Sequence, residues 1–435
     1  MKQNERSNNH VLPIIIMFAL FAMISFVTGL QNPFGVIVKA QFQLSDFESQ
    51  LGNFANFIAY AFMGVPAGLL LQKKGYRITA LTAVLIGLTG VALMFGSSIP
   101  NPAEEAGNDS LIYALYISGA FIAGFSMCTL NTVVNPMLNT LGGGGKKGNQ
   151  LLQFGGATNS LAATIVPILV GYLIGGEVQK ADLVDARVAL YIAMAIFAIA
   201  FIVLFLAKLP EPILEEIAKG NEKEKVSMRG AFKYPQFVGG IIAIFLYVGI
   251  EVGIANILNL YLTTEDIART KLVEGFGMEP VISGTIVGFY WMLMLVGRLI
   301  GGSIGGSVSS KTMLIAVAGT CILFLTLGMV LPTNNIEIFG YNIPLNVLFF
   351  VLCGLCTSVM WGGIFNIATE GLGKYTAVAS GIFMVMVCGG GVLPLIQGVV
   401  ADMFGYLASY GVLLVAVGYI LLYAIFGGKK AVLNK

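Results

Sequence analysis

Charge is scarce in this sequence. Only 11% of its 435 residues are Asp, Glu, Lys or Arg, where a soluble domain carries about 25%. With 57% hydrophobic residues and a mean hydropathy of +0.86, that deficit excludes an ordinary soluble fold and offers no basis for a nucleic-acid partner. Histidine is nearly absent: His10 is alone and close to the N-terminus, so neither His-based catalysis nor a His-ligated metal is available. Cysteine is sparse too. Cys128, Cys321, Cys353, Cys356 and Cys388 all fall in apolar runs. Cys353-Gly-Leu-Cys356 matches C-x-x-C, but inside an apolar run without His partners it reads as small packing residues rather than a metal or redox centre. A phosphate loop is missing as well. Gly142-Gly-Gly-Gly145-Lys-Lys147 lacks the Gly-x-x-x-x-Gly-Lys-Ser/Thr spacing and follows an apolar helix instead of a strand. No cofactor and no enzymatic constellation are therefore expected, and any transport must draw on an ion or solute gradient.

Apolar runs of about 20 residues, the length that crosses a bilayer, recur along the whole chain. Twelve spans are expected near 12–39, 48–72, 78–97, 111–138, 149–175, 187–207, 236–262, 281–306, 312–331, 344–368, 375–400 and 405–427. The fold class is an all-α membrane protein, its twelve helices forming two pseudo-symmetric six-helix bundles in the lipid bilayer. Residues 1–208 form the first bundle, 209–235 a polar cytoplasmic linker and 236–435 the second. If both termini are cytoplasmic, 19 of the 24 Lys and Arg residues lie on that side, a count that puts Arg298 at the cytoplasmic end of the eighth span. The other five are Lys39, Lys180, Arg187, Arg269 and Lys271. That asymmetry sets the orientation and implies a multi-pass protein of a bacterial inner membrane. Met1 to His10 is polar with no small-residue cleavage site before the first span, so no cleaved leader is expected.

The chain centres on Leu130-Asn131-Thr132-Val133-Val134-Asn135-Pro136-Met137-Leu138-Asn139. Its three asparagines, at i, i+4 and i+8, climb one helix face. Uncompensated amides in hydrocarbon cost roughly 2–7 kcal/mol each, so the face lines a watered cavity or bonds a neighbouring helix. The halves repeat. Gly64-Val-Pro-Ala-Gly68 closes the second span and Gly297-Arg-Leu-Ile-Gly301 the eighth; Asn135 and Asn139 of the fourth span answer Asn366 and Glu370 of the tenth; Pro167-Ile-Leu-Val-Gly171 answers Pro394-Leu-Ile-Gln-Gly398.

With these features the chain resembles the major facilitator superfamily and, within it, the family of fucose permeases and glucose/galactose transporters, which are sugar:proton symporters. The resemblance covers essentially the whole chain. Its anchors are Leu130-Asn-Thr-Val-Val-Asn-Pro136, Thr158-Asn159-Ser160-Leu161, Tyr247-Val-Gly-Ile-Glu251 and Ile364-Phe-Asn-Ile-Ala-Thr-Glu370-Gly-Leu-Gly-Lys-Tyr-Thr376. It implies import of a small-molecule sugar, a hexose or deoxyhexose, coupled to a proton. The departures matter. Where the family carries Asn-Asp in span one this chain has Gln31-Asn32, and where it carries a Glu in span four this chain has Asn131. Those two carboxylates serve coupling and sugar recognition in the family. Their loss leaves sodium coupling, uncoupled passage, or an acidic or acetylated amino sugar such as sialic acid or N-acetylglucosamine as alternatives.

Glu251 is the one carboxylate expected well inside a span, about four turns from its start, where a charge is costly and functional by default. It is the candidate proton carrier. Gln31, Asn32, Asn131, Asn135, Gln153, Asn159, Asn256, Asn259 and Asn366 supply neutral donors and acceptors, which suit a polyol. Tyr290 and Trp361, with Trp291, offer ring faces for the C–H face of a sugar. For each, helix packing is the competing role. Asn32-Pro33 is expected to break the first helix locally, and Glu370 reads as an interfacial charge answering Lys374 or Arg298.

Overall fold

The computed structural model describes residues 11–99, 109–142, 145–174, 182–211, 228–264, 275–304, 308–331, 334–338, 341–370, 372 and 382–427. Twelve helices among them are long and apolar enough to cross a membrane. Spans one to six are Val11–Gln41, Leu51–Leu71, Lys73–Gly96, Ser110–Leu138, Phe154–Leu173 and Arg187–Leu206. Spans seven to twelve are Pro235–Thr263, Val281–Ile304, Ser310–Val330, Leu345–Ala368, Ile382–Phe404 and Tyr406–Phe426. The largest shift from the hydropathy reading is span eleven, which starts at Ile382; residues 373–381 lie outside the described set. So do residues 212–227, most of the expected linker. We call the face where span one ends the distal face, and the opposite one proximal.

The chain punctuates its helices with glycine and with hydroxyls. Spans two and three meet at Gly75, whose φ of 78° few other residues adopt. Span one, in contrast to expectation, runs unbroken through Pro33; a single proline is tolerated where neighbouring helices surround the freed carbonyl. Span ten is two pieces, Leu345–Thr357 and Met360–Thr369. At the break the Thr357 hydroxyl bonds the Cys353 and Gly354 carbonyls, and the Ser358 hydroxyl bonds that of Leu355. Such local bonds compete with the helical ladder. The regular helix of span eleven restarts at Gly389, in a run of three glycines. On the distal side a small hairpin pairs Asn335–Ile338 with Tyr341–Pro344, antiparallel.

The six-span repeat appears as repeated packing. Span one lies on span five as seven lies on eleven, and span one on span four as seven on ten. Across the halves, spans two and eleven pair, as do five and eight. The first seam is close because a Cβ on Gly391 would sit 2.9 Å from the Phe54 Cα. Within the first half, spans three and four touch backbone to backbone: a Cβ on Gly90 would sit 2.5 Å from the Ala123 nitrogen and 2.9 Å from the Gly119 carbonyl oxygen. Small residues that permit such approach drive helix association in lipid. Gly90→Val should therefore destabilise the first half by about 1–3 kcal/mol, read as a lower unfolding temperature in detergent. An unchanged temperature would mean that spans three and four do not pack this way.

Candidate functional site

Glu251 sits near the middle of span seven, half-buried, its side chain 16% exposed. Its Oε1 lies 3.5 Å from Nη2 of Arg298, whose side chain is 14% exposed. Arg298 is thus not a free charge at the proximal end of span eight. Its long stem carries the guanidinium to the level of Glu251, as such side chains do when a polar partner is nearer than water. The other terminal nitrogen, Nη1, donates to the Gly156 carbonyl at 2.6 Å and to the Ser160 hydroxyl at 2.8 Å. Both acceptors belong to span five, in the other half. One guanidinium therefore ties spans five, seven and eight together.

Aromatic hydroxyls enclose this pair. Tyr290, fully buried, donates to the Glu251 carbonyl at 3.0 Å and lies 3.2 Å from the Thr357 hydroxyl at the break in span ten. Tyr247, one turn before Glu251, is also fully buried, and its hydroxyl makes no hydrogen bond of good geometry among the described residues. Its ring lies 6.1 Å from that of Trp361. Asn159, next to Ser160, is half-buried and makes no side-chain hydrogen bond among the described residues.

Further amides lie in both halves. Asn131 donates to the Tyr60 hydroxyl and to the Met127 carbonyl, each at 3.1 Å, and Asn135 donates to the Asn131 carbonyl at 2.9 Å. Asn131 and Asn135 are therefore half-buried and partly tied back to their own helix, while the Asn139 side chain lies outside the described residues. Gln31 accepts from Tyr116 at 3.2 Å, while its buried amide nitrogen has no partner among the described residues. Gln397 on span eleven is fully buried, with neither amide atom bonded among the described residues. Such orphans are costly and suit a bound polyol or water.

Other expected residues fall elsewhere. Asn256 donates to Gln50 of the first half at 3.1 Å. Asn259 accepts from Ser283. Both lie on the distal side of Glu251. Asn366 is exposed and donates to Ser310 at 3.1 Å, so it stands apart from these clusters near the proximal end. The side chains of Asn32 and Gln153 lie outside the described residues. Arg298, Tyr60, Tyr247, Thr357 and Gln397 are functional candidates that sequence reasoning missed. Arg298 alone carried a signal, as a charge within a span.

The sequence profile of the Major Facilitator Superfamily matches residues 17–395. A putative glucose/galactose transporter of Helicobacter pylori is 30% identical over 98% of this chain and 99% of its own length. The L-fucose-proton symporter of Escherichia coli is 24% identical over 93% of this chain and 90% of its own. The crystal structure of a major facilitator transporter, FucP, in the outward conformation matches with a TM-score of 0.66 at 18% identity, covering 97% of this chain and all of that one.

Removing one member of a buried ion pair typically costs about 3–5 kcal/mol, whereas replacing both by apolar residues is often neutral. Arg298→Met should accordingly lower the unfolding temperature in detergent markedly. Adding Glu251→Met should restore most of the loss. No recovery in the double variant would show that the two charges are not coupled.

Proposed function

We propose that this chain, which belongs to the major facilitator superfamily, imports a hexose or deoxyhexose sugar by alternating access, with a proton as the coupling ion. The observation that carries this reading is the ion pair of Glu251 and Arg298, whose guanidinium reaches from the second half to span five of the first. Relatives along the full length of the chain are named as sugar transporters, and the amide-rich spans suit hydroxyl-bearing substrates.

Residues 1–208 and 236–435 rock against each other about a site near the bilayer midplane. Gln31, Asn32, Asn131, Asn135, Gln153 and Asn159 meet sugar hydroxyls from the first half, while Tyr290 and Trp361 present rings from the second. Glu251 takes up the proton. While ionised it shares Arg298 with span five. Once neutral it no longer holds the guanidinium by charge, and Arg298 keeps only its Gly156 and Ser160 bonds on span five. The proton state is in this way linked to how firmly the halves are pinned. The lopsided Lys and Arg distribution supports cytoplasmic termini and an inner-membrane location.

Arg298 also favours a second reading. An acidic sugar needs a cation near the midplane, and this guanidinium is the cation beside the site. Competition of labelled-hexose uptake by neutral and by acidic sugars separates the two.

Glu251→Gln should abolish accumulation of sugar against a gradient while sparing exchange of internal for external sugar. Unchanged accumulation would remove Glu251 from coupling. Asn131→Ala should raise the half-saturation concentration for uptake by roughly tenfold, the equivalent of one lost hydrogen bond of about 1.4 kcal/mol. An unchanged value would make Asn131 a packing residue.

A further inference from the structure

The two halves are also joined at the distal face, by side chains that the transport site does not use. Lys39, near the end of span one, contacts the Asp46 carboxylate and donates to the Tyr406 hydroxyl at 2.7 Å and the Thr264 hydroxyl at 3.3 Å. Tyr406 in turn donates to Asp46 at 2.8 Å. Lys39 and Asp46 belong to the first half; Thr264 and Tyr406 stand at the ends of spans seven and twelve in the second. Beside them Asp402, near the end of span eleven, accepts from the backbone N–H groups of Asp46 and Phe47 at 2.7 and 2.8 Å. Those groups open the short helix Asp46–Ser49, and their donors would otherwise be unpaired within it.

That helix is set up locally to receive a carboxylate. Ser45 caps it, and Glu48 accepts from the Ser45 nitrogen and hydroxyl at 2.9 Å each, bonds that hold its carboxyl below the usual range. Gly398 lets span eleven close on it, since a Cβ there would sit 2.8 Å from the Asp46 carbonyl oxygen. Deeper along the seam the cross-half bonds continue, from Asn256 to Gln50 and from Asn53 to the Gly390 carbonyl at 2.9 Å. The proximal face differs. Among the described residues, its side-chain bonds stay within one half: Glu211 accepts from the Tyr76 and Arg77 nitrogens, Lys311 donates to Ile425 and Asn366 to Ser310.

We infer that Lys39, Asp46, Asp402 and Tyr406 form a latch that holds the distal mouth shut, and that it must part each time the transporter opens to that side. The charges suit this task. Closed, each carboxylate has donors from the opposite half. Open, water replaces those donors, so the net preference for the closed state is modest and reversible. Each charge-assisted bond across the mouth then shifts the balance of closed over open by about an order of magnitude. The latch rests on the alternating-access reading above, and the distal face is the outer one only if the termini are cytoplasmic.

The test reads opening directly. Asn53→Cys places a thiol beneath the latch, where Asn53 is 3% exposed. Its labelling rate by a membrane-impermeant maleimide is followed in cells and in inverted vesicles, without sugar, against the parent chain whose described cysteines are all buried. Adding Asp402→Asn should raise the rate about tenfold. Tyr406→Phe, a milder change that removes only the bridging hydroxyl, should raise it about threefold. An increase in cells supports the latch with the distal face outside; an increase confined to inverted vesicles supports the latch and reverses the orientation. An unchanged rate on both sides for both variants would overturn it. Sugar exchange measured in the same variants reports separately on transport, so labelling that rises in a chain that moves no sugar would keep the latch and remove the transport reading.

Discussion

A charge in hydrocarbon is expensive, and this protein places one carboxylate and one guanidinium within its bundle where each offsets the other. Glu251 and Arg298 come from neighbouring spans of the second half, yet Arg298 completes its hydrogen bonding on span five of the first. The pair cannot be neutral in effect: altering the ionisation of Glu251 alters what Arg298 must do at the seam between halves. Tyr290 and the broken span ten rest on the same centre, because the tyrosine hydroxyl bridges the Glu251 carbonyl and Thr357.

The seam itself is graded in depth. At the midplane, spans five and eight pack closely, and the polar contact between the halves there among the described residues is one guanidinium with two acceptors. Toward the distal face it becomes a line of amide, backbone and charged contacts between spans two and eleven and around Tyr406. Gly391 permits the close approach of those two spans, and Gly398 that of span eleven to the short helix Asp46–Ser49. A transporter built this way can open one face by breaking bonds that water replaces, while its apolar core in each half stays packed.

The twelve spans were legible in the sequence because hydropathy at bilayer length is a strong signal, and the two related halves because proline, glycine and asparagine recur at a constant span offset. Glu251 was legible as a carboxylate stranded far from either span end. Arg298 was miscounted with the proximal charges: it lies six residues from the end of its span, and sequence position does not say whether a long side chain reaches inward or toward the headgroups. Asn256 was visible as an amide in an apolar run, but its partner Gln50 is 206 residues away, a pairing that no local pattern encodes. The latch was hidden for the same reason. Lys39 entered only the count of charges opposite the termini, Asp46 and Asp402 fall between the expected spans, and only the folded chain brings the three together. The break in span ten coincides with Thr357 and Ser358 turning back on their own helix, which hydropathy does not register.

The central claim is that sugar and proton move together through this protein despite the neutral residues at positions 32 and 131. The most direct measurement is external pH in a weakly buffered, de-energised suspension of cells expressing the protein, as individual neutral, acetylated and acidic sugars are added. Alkalinisation on adding one sugar, absent from non-expressing cells, is the result expected here. Entry of labelled sugar with no change in pH would contradict it and leave sodium coupling or unassisted passage in its place.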